Sequence, residues 1–233
     1  MYIYITQVKS AEEVLQEMLW NNHAVVVENK PINIKLWRSN GITQVADMLH
    51  HNGHNGQLYN IEEGDWEEIF RNAFKVCRKT KLQSLQYNIL HRIFPCNVYV
   101  SRWNSTVSEH CPHCQMADTL EHNFYHCESI RFFWSAFTRW WCCITGINLT
   151  LSEVDIIFGG ANENNDELCN ALNFCILFGK SYIVRCRYRD HKCSLIEFLR
   201  LLKDRLEIEA YICKINNQQA LFENRFGIIV ENS

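Results

Sequence analysis

Residues 111–127 read CPHCQMADTLEHNFYHC and hold three cysteines and three histidines within seventeen positions. The two-residue gap between Cys111 and Cys114 lets both sulfurs of a tight turn point at one ion, and His122 and Cys127 close the set. Three thiolates and an imidazole are a complete ligand set for one tetrahedral Zn²⁺. Such a short loop buries little apolar surface, so metal binding would supply much of its folding free energy. The stretch therefore predicts a zinc loop.

The fourth position of this ligand set has two candidates. On an ideal helix over residues 121–127, His126 shares the face of His122, whereas Cys127 points away by more than a quarter turn. A thiolate binds zinc well, however, and the loop need not be helical as far as Cys127. Helix geometry alone favours His126, so both residues stay open at this point. His113 is expected to be exposed, or to donate to the site, rather than to ligate the metal.

The Cys-x-x-Cys sequence also occurs in thioredoxin-like oxidoreductases, where the dithiol lies at a helix N-terminus with a lowered thiolate pKa. That family needs a cis-proline downstream of the dithiol. Here the prolines are Pro31, Pro95 and Pro112, and none follows position 112. No βαβ pattern surrounds the motif. A zinc deaminase would need a His-x-Glu sequence before its Cys-x-x-Cys, and that sequence is absent as well.

The sequence around the candidate ligands resembles the zinc-binding region at the C-terminal end of reverse transcriptases from LINE-type (non-LTR) retrotransposons. That region has a Leu-His-Arg helix, a Cys-x-x-Cys, a Thr-x-Glu-His sequence and a Cys shortly before Phe-Trp. The matching residues here are Leu90-His91-Arg92, Cys111 to Cys114, Thr119 to His122, Cys127 and Phe133-Trp134. The resemblance spans most of the chain from near Trp20 and is specific over residues 79–134. It implies Cys127 as the fourth ligand, a structural zinc, and a role in holding RNA near the polymerase.

The chain lacks the catalytic parts of such a polymerase. Reverse transcription needs an adjacent pair of palm aspartates to hold two metal ions, and no Asp-Asp pair occurs. The restriction-like nuclease of some relatives would need a Pro-Asp step, which is also absent. We therefore expect no catalysis, and the polymerase portion of a parent polyprotein is a candidate partner. The alternative is a protein-interaction or structural module from a truncated or domesticated element.

The composition predicts an intracellular protein with a sizeable core. Hydrophobic residues make up 47% of the chain and aromatic residues 12%. There are twelve cysteines, but the N-terminus lacks the basic and apolar regions of a signal peptide, which favours a reducing compartment, nucleus or cytoplasm. The nine cysteines outside the zinc loop are expected to be small core residues. The most apolar stretch, residues 168–184, is interrupted by polar residues and too short to span a bilayer.

The charge distribution indicates nucleic-acid binding, although the net charge is −3. No Asp or Glu lies between Ile69 and Ser108, whereas seven basic residues do: Arg71, Lys75, Arg78, Lys79, Lys81, Arg92 and Arg102. A locally positive electrostatic potential of this kind attracts the phosphates of RNA or DNA, and binding through phosphates has little sequence preference. A solvated charged surface is the ordinary alternative. A second basic cluster comprises Lys180, Arg185, Arg187, Arg189 and Lys192. Tyr87, Trp103, Phe124 and Tyr125 could stack on bases, but core packing is the more common role of such aromatics.

The periodicity predicts a mostly α-helical fold with one small β-hairpin, over residues 24–27 and 32–36, and one Cys-Cys-His-Cys zinc loop. Asp65 with Glu68 should start a helix through Cys77, and Thr80 should cap a second helix that Pro95 stops. Lys81, Asn88 and Arg92 would share one flank of that second helix. Further helices are expected after Ser152, over residues 167–187, and after Ser194. We divide the chain into segments 1–64, 65–145 and 146–233.

Overall fold

The computed structural model describes residues 25–27, 30–32, 63–102, 104–159 and 166–232, with side chains from residue 69 onwards. These residues are mostly α-helical, which confirms the predicted class. The elements in chain order are strands β1 (Val25–Val27) and β2 (Lys30–Ile32) and helices α1 (Glu63–Val76), α2 (Thr80–Leu90), α3 (Asn97–Val100), a π-helix (His122–His126), α4 (Glu128–Thr145), α5 (Glu153–Phe158), α6 (Glu167–Tyr188), α7 (Leu195–Ile215) and α8 (Gln219–Glu231).

The two short strands pair antiparallel, with Val25 opposite Ile32 and Val27 opposite Lys30. The second strand therefore begins two residues earlier than the sequence pattern predicts, because the connection between the pair is only two residues long. The remaining predicted strand positions, residue 24 and residues 33–36, lie outside the described residues.

The predicted caps of the first two helices are wrong. Helix α1 begins at Glu63, so Asp65 lies inside the first turn and is not the N-cap. Helix α2 has Lys79 at its N-cap, with no side-chain capping bond, and Thr80 is already helical. In both cases the helix starts earlier than the capping pattern indicates, because backbone conformation and packing outweigh a local side-chain bond worth about 1 kcal/mol.

Helix α2 ends at Leu90, well before Pro95. The backbone N–H of Ile93 donates to Asn88 O at 2.9 Å, and the N–H of Arg92 donates to Ile89 O at 3.0 Å. Arg92 has φ +55°, so it occupies the left-handed position of a Schellman motif. Arg92 therefore lies beyond the helix, and Asn88 is buried, so the predicted flank of Lys81, Asn88 and Arg92 does not exist.

The later helices agree with the sequence prediction more closely. Helix α5 starts with a capping box in which Ser152 and Asp155 bond reciprocally. Helix α6 runs one residue past the predicted Arg187. Ser194 is the N-cap of α7 but makes no side-chain capping bond there. Its backbone N–H donates to the hydroxyl of Tyr182 at 2.9 Å instead.

Aromatic side chains of α4, α6 and α7 form the centre of the core, with Phe133, Phe137, Phe174 and Phe198 fully enclosed. Gly179 lets α6 approach α4, since a Cβ at that position would lie 2.7 Å from the Trp134 ring. One cluster of buried hydrophobic side chains runs through both of the segments that begin at residues 65 and 146, and the proposed segment boundaries stay a prediction. None of the described helices is both long enough and apolar enough to cross a membrane.

The nine cysteines outside residues 111–127 differ in burial. Five of them are buried, three are half-buried and Cys143 is exposed. Cys143 faces solvent because the inner face of α4 is occupied by Phe137 and Trp141, which precede it. The prediction of small core residues is therefore wrong for Cys143.

A buried lysine joins three helices of this core. The ammonium group of Lys180, which is 1% exposed, donates to Gln86 Oε1, to Ile156 O at 2.8 Å and to Ile157 O at 3.4 Å. The last carbonyls of a helix have no partner within the helix, so Lys180 on α6 caps the C-terminus of α5. Gln86 on α2 donates to Ile157 O at 2.9 Å as well. Burial lowers the pKa of Lys180 to about 7.

Replacing Lys180 with Met should lower the free energy of unfolding by about 1–3 kcal/mol at pH 7, because buried acceptors lose their donor. The loss should be larger at pH 9. There the unfolded lysine, with an ordinary pKa of 10.5, still binds a proton that the folded lysine has released, so the stability of the parent rises with pH. Urea unfolding at both pH values measures this. The exposed Lys203→Met variant is the control, and equal pH dependence in the parent and Lys180→Met would contradict the prediction.

Candidate metal centre

Residues 110–117 form a tight turn that presents two cysteine sulfurs on one side. His110 and Ala117 form an antiparallel bridge. Within it, the N–H of Cys111 donates to Met116 O at 2.7 Å, and the N–H of Gln115 donates to Cys111 O at 2.9 Å. Gln115 has φ +62°, the left-handed conformation that reverses the chain directly after the second cysteine. Local backbone bonding therefore fixes the first half of the ligand set.

The second half is built by a π-helix, which the sequence analysis did not predict. The N–H of Cys127 donates to His122 O at 3.1 Å, an i→i+5 bond in place of the α-helical i→i+4 bond. The wider turn brings Cys127 to the side of His122. His126 is exposed and is not part of this cluster, and its Nε2 lies 3.2 Å from Glu153 Oε2. The structure thus groups Cys127, and not His126, with the other candidate ligands.

The donor atoms of Cys111, Cys114, His122 and Cys127 all lie within 4.8 Å of one another, so the cluster could hold a metal ion. The sulfurs of Cys111 and Cys127 are 3.9 Å apart, and Cys114 Sγ lies 3.2 Å from His122 Nε2. Metal–sulfur bonds of about 2.3 Å and metal–nitrogen bonds of about 2.0 Å at tetrahedral angles place such donors about 3.5–3.8 Å apart. The Cys114–His122 separation is shorter than this range and the Cys111–Cys127 separation is slightly longer, so the donors lie near the spacing that one tetrahedral ion requires.

The surroundings affect the protonation of the candidate ligands differently. Burial lowers the pKa of His122, which keeps its imidazole in the neutral form that binds metals. Burial raises the pKa of Cys114 to about 11. Burial also acts to raise the pKa of Cys111, but backbone N–H groups of His113 and Cys114 and the guanidinium of Arg187 outweigh it, so the net shift is downward. The contribution of His113 to this shift comes from its backbone N–H, so the expected role of its side chain stays a prediction.

An arginine on α6 contacts the first cysteine. Nη1 of Arg187 lies 3.7 Å from Cys111 Sγ, and Nη2 forms an ion pair with Asp118. Asp118 is buried and also accepts the backbone N–H of Asn97 at 3.1 Å. Residues 110–127, which carry the candidate ligands and are called the metal loop below, are thus attached to the helical core through a buried charged group rather than through apolar contacts alone.

The other side of the loop is attached to the end of α2. Arg92, directly after this helix, forms an ion pair with Glu121, the residue before His122. Phe94 packs edge-on against Phe124 of the π-helix, with ring centroids 5.0 Å apart. These contacts link the position of α2 to the geometry of the ligand cluster.

The candidate nucleic-acid residues fall into two groups. Six of them are exposed: Arg71, Lys75, Arg78, Lys79, Lys81 and Arg102. Among these, Arg78 donates to Gln218 Oε1, and the guanidinium of Arg102 lies over the Tyr99 ring at 5.2 Å. The seventh, Arg92, is engaged by Glu121. The second basic cluster has fewer available cations than its sequence suggests, because Lys180 is buried in the core and Arg187 is engaged by Asp118.

We call the exposed residues Arg71, Lys75, Arg78, Lys79 and Lys81 the basic surface. Arg71 and Lys75 lie one turn apart on α1, and the others surround the start of α2, whose first turn contains no acidic residue. Partial burial, followed by the nearby Arg205 and Lys81 cations, lowers the pKa of Lys79. Lys79 and Lys81 are therefore close enough to act on one another.

One exposed aromatic on this surface was missed by the sequence analysis. Phe74 is 53% exposed and precedes Lys75 on α1. Phe74 lies three residues after Arg71, and residues at this spacing are neighbours on a helix surface. That spacing is the signal that could have identified Phe74 as part of the basic surface. Of the four aromatics that could stack on bases but were expected to pack in the core, Phe124 is buried and Tyr87 and Tyr125 are half-buried. Trp103 lies outside the described residues.

Comparison with known protein families finds no family model that matches the chain, and a search of curated proteins finds no significant match.

Proposed function

We propose that this chain is a non-catalytic nucleic-acid-binding module organised by a structural zinc ion. The observation that supports it most directly is the convergence of Cys111, Cys114, His122 and Cys127 on one point. Four protein ligands complete a tetrahedral shell, so no coordination position is left for a substrate or an activated water. A centre of this kind stabilises the fold around it and performs no reaction of its own.

The donor set favours zinc over other metals. Thiolate and imidazole ligands suit zinc and other borderline-soft ions, whereas calcium and magnesium require oxygen donors. Zinc has no geometric preference from its d electrons and accepts the tetrahedral arrangement that these side chains offer. The thiolates would be committed to the metal, so no dithiol redox cycle is expected at Cys111 and Cys114.

The basic surface is the proposed contact for RNA or DNA. Its five exposed cations lie on α1 and at the start of α2, and Phe74 offers a ring on which a base can stack. Helix α2 leads through the Arg92–Glu121 ion pair to the metal loop, so the metal would hold this helix in place. Arg102 precedes the loop and extends the same charge along the chain. Contacts to phosphates position a protein without reading sequence, so sequence preference should be slight.

The resemblance to the tail of a LINE-type reverse transcriptase agrees with this proposal. In that family the corresponding region is associated with holding RNA near the polymerase. We therefore propose RNA or DNA as the partner, with the polymerase portion of a parent polyprotein as a further partner. We also propose that the chain acts in an intracellular compartment.

Salt dependence is the expected signature of this function. Five phosphate contacts predict that binding of generic single-stranded RNA by the zinc-loaded chain weakens about 100-fold between about 50 and about 200 mM salt. Fluorescence anisotropy over a salt series measures this, with single-stranded DNA of the same sequence run in parallel to separate RNA from DNA preference. The absence of binding to either strand at low salt would overturn the proposal.

A protein-interaction module is the second candidate, because α7 carries an exposed apolar stripe. Ile208, Tyr211 and Ile215 follow one another at spacings of three and four and are each at least half exposed. Exposed apolar clusters commonly mark protein contacts. An apolar contact would not weaken steeply with salt, so the same salt series separates the two candidates.

A further inference from the structure

We propose that Arg187 is a positioning residue for the metal centre, which holds Cys111 in ligand geometry and balances the negative charge of the metal-bound thiolates. The inference rests on the proposed function only in that the four clustered side chains bind a metal ion. It concerns a residue that lies sixty positions beyond the last ligand in the sequence.

The contact geometry is the first support. Arg187 Nη1 lies 3.7 Å from Cys111 Sγ, within the range of an N–H···S hydrogen bond. The same guanidinium uses Nη2 to pair with Asp118. Asp118 is fixed in turn by the backbone N–H of Asn97 at 3.1 Å, while its own N–H donates to Glu109 O at 2.9 Å. Both ends of the guanidinium are thus held, and its direction toward the sulfur is defined.

Charge is the second support. A divalent ion with three thiolates and a neutral imidazole carries one net negative charge, and Cys111 and Cys127 are buried. Asp118 adds a second buried negative charge beside it. In the described residues, Arg187 is the arginine whose guanidinium contacts both groups. A planar guanidinium can donate to two acceptors in fixed directions, which a single ammonium group cannot reproduce.

Hydrogen bonds to metal ligands from outside the ligand set orient the ligands and commonly change metal affinity about 10- to 100-fold when they are removed. The N–H···S bond from Arg187 withdraws electron density from the Cys111 thiolate and shields it from electrophiles. Losing that bond should weaken zinc retention and expose Cys111 to alkylation. The effect should be separate from the stability that the Arg187–Asp118 ion pair provides.

A double-mutant cycle on the zinc-loaded full chain separates these roles. The variants are Arg187→Gln, Asp118→Asn and the two combined, with Arg187→Lys as a charge-conserving variant. Zinc affinity is measured by competition with a chelator, and the rate of iodoacetamide labelling at Cys111 is measured by mass spectrometry. In the Asp118→Asn background, Arg187→Gln should still weaken zinc binding about tenfold and raise the labelling rate of Cys111. Arg187→Lys should recover only part of either loss.

The matched control is Arg205→Gln, which breaks another buried ion pair, Arg205–Glu209 on α7, away from the ligand cluster. This variant should lower the melting temperature and leave zinc affinity and labelling unchanged. If Arg187→Gln lowers only the melting temperature, or loses its effect in the Asp118→Asn background, the arginine serves the ion pair alone and the inference is overturned. If the parent chain binds no zinc, the proposed metal centre fails first, and the role of Arg187 fails with it.

Discussion

Replacing Cys127 with Ser should abolish stable metal binding, whereas replacing His126 with Ala should leave it intact. Cys127 contributes one of four converging donors, and a serine hydroxyl is a poor substitute for a thiolate. Structural zinc sites of this kind contribute about 10–16 kcal/mol of apparent binding free energy, so the Cys127→Ser chain should retain less than about a tenth of the parent's zinc after dialysis against a chelator. His126 faces Glu153 and should contribute nothing to the metal.

Metal content by mass spectrometry and melting temperature together measure this effect. Cys143→Ser is the matched control, because Cys143 is an exposed cysteine on α4 outside the cluster. The control should keep both its zinc and its melting temperature. Zinc retained in the Cys127→Ser variant and lost in the His126→Ala variant would contradict the assignment and move the fourth ligand to residue 126.

The second large effect concerns the basic surface. A Lys75→Ala/Lys79→Ala/Lys81→Ala variant should bind single-stranded RNA with a salt slope smaller by about 2, since each lost phosphate contact removes about 0.7. At about 100 mM salt, this corresponds to roughly 100-fold weaker binding. These lysines are exposed and lie on α1 and at the start of α2, so the fold and the metal centre should be unaffected. Arg78 and Arg92 are left in place because they bond to Gln218 and Glu121.

The control for this variant removes the same number of charges elsewhere. Arg131 and Arg139 lie on α4 and Arg200 on α7, and all three are exposed. Their combined replacement with Ala should change the salt slope only slightly. An unchanged slope and affinity in the lysine variant would place the nucleic-acid contact elsewhere, and the exposed Arg185, Arg189 and Lys192 would be the next candidates. Equal losses in both triple variants would indicate binding by net charge alone.

Much of the fold follows from local patterns in the sequence. The apolar helix over residues 167–187 and the helix after Ser152 lie where the periodicity and the capping pair predict them, because packing and local bonding agree there. The end of α2 could not be predicted in this way. Arg92 adopts a left-handed conformation that favours glycine, and tertiary contacts to Glu121 hold it there.

The ligand cluster was predictable from spacing, but its construction was not. Regular α-helix geometry places His126 above His122, and only the π-helix explains why Cys127 joins the set. A π-helix has no sequence signature comparable to a capping box. The contacts of Lys180 and Arg187 were likewise hidden, because both look like members of a surface charge cluster in the sequence. Their partners, Ile156 and Asp118, are distant in the chain and become visible only in the fold.

X-ray absorption spectroscopy at the zinc edge of the purified full-length chain tests the central claim most directly. A metal held by Cys111, Cys114, His122 and Cys127 predicts one zinc per chain with three sulfur neighbours at about 2.3 Å and one nitrogen neighbour at about 2.0–2.1 Å. A coordination shell of two sulfurs and two nitrogens would instead indicate that a histidine takes the place of Cys127 as the fourth ligand. A chain that contains no bound zinc, or zinc with oxygen neighbours and no sulfur, would contradict the account.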